Sequence, residues 1–270
     1  MIYKQNLHTH STFCDGKDTP REMAEEAIKR GFDSLGFSMH SYVSASKLGI
    51  TPERIEAFKK EIPKLKEEFS GKLEIFMGME YDLLSDCSPE GYDYTLAAVH
   101  YLNTDIGKRG FDISLDGTVN YINTCFGGDA MRFAKAYYEQ LADAESYGKF
   151  DIIAHFDILT KNNELGKFLD TSTKEYLDLA FSAADALKGK IPFFEVNTGA
   201  VARGYRSSLY PQIEILKRLK ELGFGVTISS DCHNKLFLDY YFDEAREYLI
   251  AAGFKSKVIL TSGGFREVAL

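Results

Sequence analysis

Residues 150–157 read FDIIAHFD: a short apolar run that stops on a histidine. Four to eight apolar residues without alternation suit a strand buried on both faces, as in a parallel sheet. The same pattern recurs on either side. The run 34-SLGFSM-39 leads into His40, 73-LEIFMGM-79 into Glu80, and 95-TLAAV-99 into His100. Further along, 191-IPFFEV-196 carries Glu195 and ends at Asn197, and 224-FGVTISS-230 leads into Asp231 and His233. A first strand fits 3-YKQNL-7 and the residues up to His10, and a late one fits 257-KVILTS-262.

Helical patterns separate most of these runs. The stretch 20-PREMAEEAIKRG-31 has proline near its start, acids early, bases late and glycine at its end, as helix termini prefer. Others cover 52–71, 129–148, 173–189, 211–223 and 241–253, and Pro63 should break or kink the second of the six. Strands alternating with helices predict βα units and an α/β fold. Residues 101–128 are polar, glycine-dotted and weakly periodic, and read as a long loop or excursion. No repeat, low-complexity tract or linker interrupts the chain, so a single domain over 1–270 is expected.

The bulk numbers narrow the function. With 270 residues, 44% hydrophobic and 27% charged, the chain has the profile of a soluble globular protein. A net charge of −8 argues against a general nucleic-acid or membrane-surface binder. Cys14, Cys87, Cys125 and Cys232 form no CxxC pair and read as free thiols. Cys14 and Cys232, beside the histidine motifs, read as packing residues. No apolar run is long enough to span a bilayer and none resembles a secretion signal, so a cytoplasmic location is expected. The 16 tyrosines and 20 phenylalanines are read as core and rim, not as a nucleic-acid stacking platform.

All six histidines, His8, His10, His40, His100, His155 and His233, fall at predicted strand ends. In a barrel or parallel sheet those ends converge on one rim, where active sites are built. Residues i and i+2 of a strand share a face about 6.6 Å apart, so His8 and His10 can reach one ion together. Asp231 and His233 repeat that spacing. Imidazole and carboxylate ligands suit zinc, iron or manganese. A lone strand-end histidine is more often a satisfied polar residue, but six of six, joined by Glu80 and Asp231, predict a metal site.

These motifs carry a family resemblance. HTH followed by CD, then SMH, GMEYD, AVH, IIAHFD and SDCH resemble, in order, the PHP (polymerase and histidinol phosphatase) family of metal-dependent phosphoesterases. Within it, YYEQL, FDIIAHFDI, EVNTGAVARGY with a following YP, and SSDCH look most like histidinol-phosphatase members. The resemblance implies a distorted (β/α)7 barrel, one PHP-type domain, with metals at the C-terminal ends of the strands. It implies two to three divalent transition metals. His8, His10, Glu80 and Asp231 would hold the first, and Glu80, His100 and His155 the second. Asp15, His40 and His233 would hold the third. Many relatives have histidine at the Asp15 position, and often an acid where this chain has Met39.

The implied activity is hydrolysis of L-histidinol phosphate in histidine biosynthesis, with Glu80, Asp231 and His233 at the reacting centre. A hydroxide bridging the first two ions would attack phosphorus in line. Three divalent ions against the carboxylates of Asp15, Glu80 and Asp231 leave roughly +3, which suits a phosphate dianion even in an acidic protein. For the substrate, Arg203 and Arg206 are candidate phosphate grips. Tyr42, Tyr101, Asp157 and Glu195 are candidates, by position, for its amine and imidazole. Arg109 and Arg132 read as solvated arginines. The partner is thus a small phosphomonoester, with no reading of oligomeric state. Two alternatives remain. One is a PHP phosphoesterase acting on a nucleotide or phosphotyrosine. The other, an amidohydrolase-type deaminase, would favour a lysine at a central strand end, and none occurs. A PHP module that has lost its metals is disfavoured, because every expected ligand position is filled.

Overall fold

The computed structural model describes residues 3–46 and 50–270. Most barrel strands are followed by a helix that returns the chain to the next strand. Strand β1 (Gln5–Asn6) is followed by α1 (Pro20–Lys29), β2 (Ser34–His40) by α2 (Pro52–Glu68), and β3 (Glu74–Asp82) by β4 (Tyr94–Ala98) without a helix. A hairpin β5 (Tyr101–Thr104) and β6 (Gly107–Gly110) then precedes α3 (Leu115–Phe126) and α4 (Ala130–Ala142). Strand β7 (Ile152–Ile153) leads to α5 (Asn163–Gly166) and α6 (Lys174–Leu187). Strand β8 (Phe193–Asn197) leads to α7 (Gly199–Ala202) and α8 (Ile213–Glu221), and β9 (Gly225–Ser229) to α9 (Phe242–Ala251). A second hairpin, β10 (Ser256–Thr261) and β11 (Gly264–Ala269), ends the chain.

Seven strands form one parallel sheet in the order β1-β2-β3-β4-β7-β8-β9. The edges meet beyond the regular strands: Thr9 bridges Cys232 in parallel, and the His10 amide donates to the Cys232 carbonyl at 2.9 Å. Asn6 Nδ2 also donates to Ser230 Oγ at 2.6 Å. The result is a nearly closed α/β barrel with seven strands, as the resemblance implied.

The apolar runs divide by parity. Leu35, Phe37 and Met39 of β2, Ile75 and Met79 of β3, and Phe194 and Val196 of β8 pack under the helices. The opposite parity faces the barrel interior, where Phe76, Tyr94, Leu96 and Ile152 cluster with Leu7. Tyr94 fills this space because Gly36 and Gly78 leave room: a Cβ on Gly78 would lie 2.2 Å from the Tyr94 ring. The Tyr94 hydroxyl donates to the Leu7 carbonyl at 2.5 Å. The β10–β11 hairpin caps the lower end of the barrel. Gln5 and Leu260 exchange two hydrogen bonds of 2.7 and 2.8 Å, and Phe265 packs on Phe193. The strand expected at 257–262 is therefore a plug outside the barrel sheet.

Three expectations change. The 101–128 segment is not an irregular loop but a short hairpin followed by a helix capped by Ser114 and ended by Gly127 at φ 66°. Its strands are four residues each and only Leu102 is buried, so they lack the apolar signature of the barrel strands. Pro63 lies within an unbroken α2. It is on the exposed face, where water can meet the carbonyl deprived of its donor, while buried Ile55, Phe58, Ile62 and Leu65 hold the other face. The first and fifth barrel strands, β1 and β7, are each only two residues long.

Candidate metal centre

Interior parity explains where the polar residues go. Gly36, Ser38 and His40 share one face of β2; Phe76, Gly78, Glu80 and Asp82 share one face of β3. Small or apolar groups fill the lower positions, and a titratable side chain occupies the top. His40 and Glu80 are register partners on adjacent strands. Asp15 comes from the turn after β1, pressed onto the His10 backbone: a Cβ on Gly16 would sit 2.4 Å from the His10 carbonyl oxygen.

All nine expected ligands meet at this end of the barrel, in four overlapping groups. One contains His10, Asp15, His40 and His233; another His8, His155 and Asp231; a third His8, His10 and Glu80; a fourth His40, Glu80 and His100. Glu80 is central. Its Oε1 lies 2.7 Å from His155 Nε2 and 3.3 Å from His100 Nε2, and its Oε2 lies 2.8 Å from His40 Nδ1 and 3.4 Å from His8 Nε2. The His10 ring is stacked between His40 and His233 at 4.3 and 4.2 Å. Asp15 reaches His233 Nε2 at 3.2 Å and His40 Nε2 at 3.5 Å.

The donor set fits divalent cations. Among the described residues His8 Nε2, His10 Nε2 and Glu80 Oε2 are buried without a well-aligned hydrogen bond, although His40 Nδ1 lies close to Glu80 and Asp231 lies 3.1 Å from His10 Nε2. Such groups are costly unless something satisfies them, and here they converge among further nitrogen and carboxylate donors. Burial, with the neighbouring His233 and His40, pushes His10 down to about 3, so its lone pair is free at neutral pH. Burial opposes ionisation of Glu80, but His40, His8 and His100 outweigh it and hold the carboxyl well below its usual range.

Other side chains hold the ligands in place. Glu195 is fully buried and faces His8 Nδ1 with both oxygens at 3.0 Å. It also accepts from the His155 amide at 2.8 Å, Asn197 Nδ2 at 2.7 Å and the Ser229 hydroxyl. A proton on Nδ1 leaves His8 Nε2 as the free donor atom. Asp82 accepts from the His100 amide at 2.7 Å. Arg203 donates to the Asp231 carbonyl at 2.7 Å and to its carboxylate at 2.8 Å. It thereby braces a residue held at φ 46°, a left-handed conformation uncommon for aspartate and costly to maintain.

Above the cluster lies a cavity of about 960 Å³ lined by His40, His100, His233, Tyr101 and Arg203, among others. The candidate substrate residues divide. Tyr101 and Arg203 are on its wall, whereas Tyr42 packs on the core. Arg206 is buried over the Tyr210 ring, donates to Thr160 at 2.6 Å and faces Asp157 at 3.7 Å, away from the cavity lining. Glu195 lies behind His8, and Asp157 is fully buried, accepting from the Gln212 amide at 3.0 Å. Sequence reasoning missed Asp82, which the parity of β3 could have indicated. It also missed Asp112 and Lys161, which no periodicity marks, and it read Arg109, a cavity-wall residue, as a solvated arginine.

The PHP domain family model matches residues 6–199. The histidinol-phosphatase of Bacillus subtilis (strain 168) is 24% identical over 264 residues, covering 90% of this chain and 98% of that protein. The DNA polymerase/3'-5' exonuclease PolX of the same organism is 28% identical over 236 residues, covering 87% of this chain but 35% of that protein. Among solved structures, histidinol phosphate phosphatase from Lactococcus lactis subsp. lactis Il1403, complexed with zinc, L-histidinol and phosphate, superposes with a TM-score of 0.74. It is 23% identical and covers 98% of this chain and 100% of its own. With the family model spanning most of the barrel, from β1 to the start of α7, the chain belongs to the PHP domain family.

Proposed function

We propose that this chain, acting as one PHP-type domain in the cytoplasm, hydrolyses L-histidinol phosphate to L-histidinol and phosphate. The observation that carries the reading is the convergence of buried His8 Nε2, His10 Nε2 and Glu80 Oε2, which lack well-aligned hydrogen bonds among the described residues, with six further candidate ligands beneath an open cavity. That donor set suits a metal-assisted hydrolysis, and the nearly full-length match to a histidinol-phosphatase supports the substrate.

His8, His10, Glu80 and Asp231 would hold one ion, Glu80, His100 and His155 a second, and Asp15, His40 and His233 a third. Divalent ions there would supply positive charge for the phosphoryl oxygens and lower the pKa of water toward neutrality, giving hydroxide at pH 7. The chain's own residues provide the orientation. Glu195 fixes the His8 tautomer, Asp82 fixes the backbone at His100, and Arg203 clamps Asp231. Arg203 on the cavity wall adds charge complementary to a phosphate dianion.

Hydrolysis in ¹⁸O-labelled water tests this. Label is expected in the phosphate, from attack at phosphorus. Label in L-histidinol would refute the mechanism, and no phosphate release from histidinol phosphate would refute the substrate. A nucleotide or oligonucleotide phosphoester is the second reading, favoured by the match to PolX.

A further inference from the structure

An amino-alcohol leaving group brings an ammonium into the cavity, and an ammonium is met by a carboxylate that keeps acceptor positions open. Among the described residues three carboxylates line the cavity: Asp15, Asp82 and Asp112. Asp15 is in a metal-ligand group. Asp82 is taken by the amides of Leu84 and His100, at 2.8 and 2.7 Å. Asp112 remains. Its ion partner among the described residues is Lys161, whose Nζ lies 2.6 Å from Oδ1 and 4.7 Å from the centre of the Tyr205 ring. A carboxylate has about four lone-pair sites, so one lysine does not exhaust it.

The backbone presents Asp112 rigidly. Phe111, immediately before it, is buried against Phe133, Tyr137 and Tyr121. The Phe111 amide donates to the His100 carbonyl at 3.1 Å, and its carbonyl accepts from the Thr118 hydroxyl at 3.0 Å. The wall that carries Asp112 is thus tied directly to a metal-ligand residue.

We propose that Asp112 is the specificity residue that receives the substrate's ammonium group. The inference rests on the amino-alcohol phosphate reading above. A phosphate held at the metal cluster leaves the amine a few bonds away, facing the wall. Lys161 keeps the free carboxylate satisfied until the substrate arrives.

The test compares metal-loaded wild type with Asp112→Asn and Asp112→Glu. Two aminoalkyl phosphates are used, histidinol phosphate and O-phosphoethanolamine, with ethyl phosphate as the amine-free reference. The expected result is a wild-type preference for the aminoalkyl esters in kcat/KM. That preference falls about 10- to 100-fold in Asp112→Asn, through KM, and is partly restored in Asp112→Glu. Because the readout is a ratio on one sample, a general loss of folded enzyme does not mimic it. Calorimetry should show L-histidinol binding weakened by the same factor. A preference unchanged in Asp112→Asn would overturn the proposal while leaving the histidinol phosphate reading intact. No wild-type preference for any amine-bearing ester would overturn both, and hydrolysis of phosphoethanolamine but not histidinol phosphate would overturn the substrate alone.

Discussion

At the residue scale, Glu195 shows how burial and chemistry divide the work. By sequence position it was a candidate for substrate contact. In the structure it has no access to the cavity and instead gathers donors from His8, His155, Asn197 and Ser229. Replacing it with glutamine puts an amide NH₂ where only acceptors fit, leaving one or more buried donors unpaired. Glu195→Gln should therefore lose about 10- to 100-fold in metal affinity, measured by competition with a chromogenic chelator. Unchanged affinity would mean that His8 is oriented by something else. Eight of the nine candidate ligands were legible because each ends an apolar run or sits two residues from another ligand; Asp15, five residues past His10, came only from the family resemblance. Asp112, Lys161 and the displacement of Arg206 were not, because they depend on how the excursion and the loop after β8 pack, and no local pattern encodes that.

At the element scale, the β10–β11 plug carries a buried lysine. Lys257 donates to the Tyr3 carbonyl at 2.8 Å, and burial pushes its ammonium down to about 8. The unfolded chain holds a proton that the folded chain has lost between about pH 8 and lysine's ordinary value of 10.5. The penalty is complete below pH 8 and is relieved as pH rises through that window. Lys257→Met should stabilise the protein at pH 7 by on the order of 1–3 kcal/mol, and urea denaturation should show that advantage shrinking by pH 10. A difference constant with pH would place the lysine's cost elsewhere. The plug also marks a limit of sequence reading. KVILTS was legible as a strand, but nothing local distinguishes a barrel strand from an antiparallel cap. Pro63 is the converse case: a strong local signal overridden by four buried side chains on the opposite face of α2.

At the scale of the whole molecule, the candidate metal centre sits where the barrel closes. The barrel edges meet where Thr9 pairs with Cys232, between the segments that carry His8, His10, Asp231 and His233. Ions shared by these residues would bind the folded barrel and not the unfolded chain, and so stabilise it by mass action. Chelation should lower the Tm by several degrees, measured by calorimetry, with recovery on readdition of metal. A Tm indifferent to chelator would separate the cluster from barrel closure. The seven-strand architecture was legible from alternating runs and from the family resemblance. The unequal strand lengths were not: β1 and β7 are two residues each, although the apolar runs that predicted them look like the others.

The most direct measurement follows phosphate release from histidinol phosphate on one sample: as purified, after chelation, and after readdition of zinc, manganese or iron, with metal content determined at each stage. The account predicts two to three ions per chain, activity lost with them and restored with them. Undiminished turnover by metal-free protein, or a fully loaded protein inert toward histidinol phosphate, would contradict it.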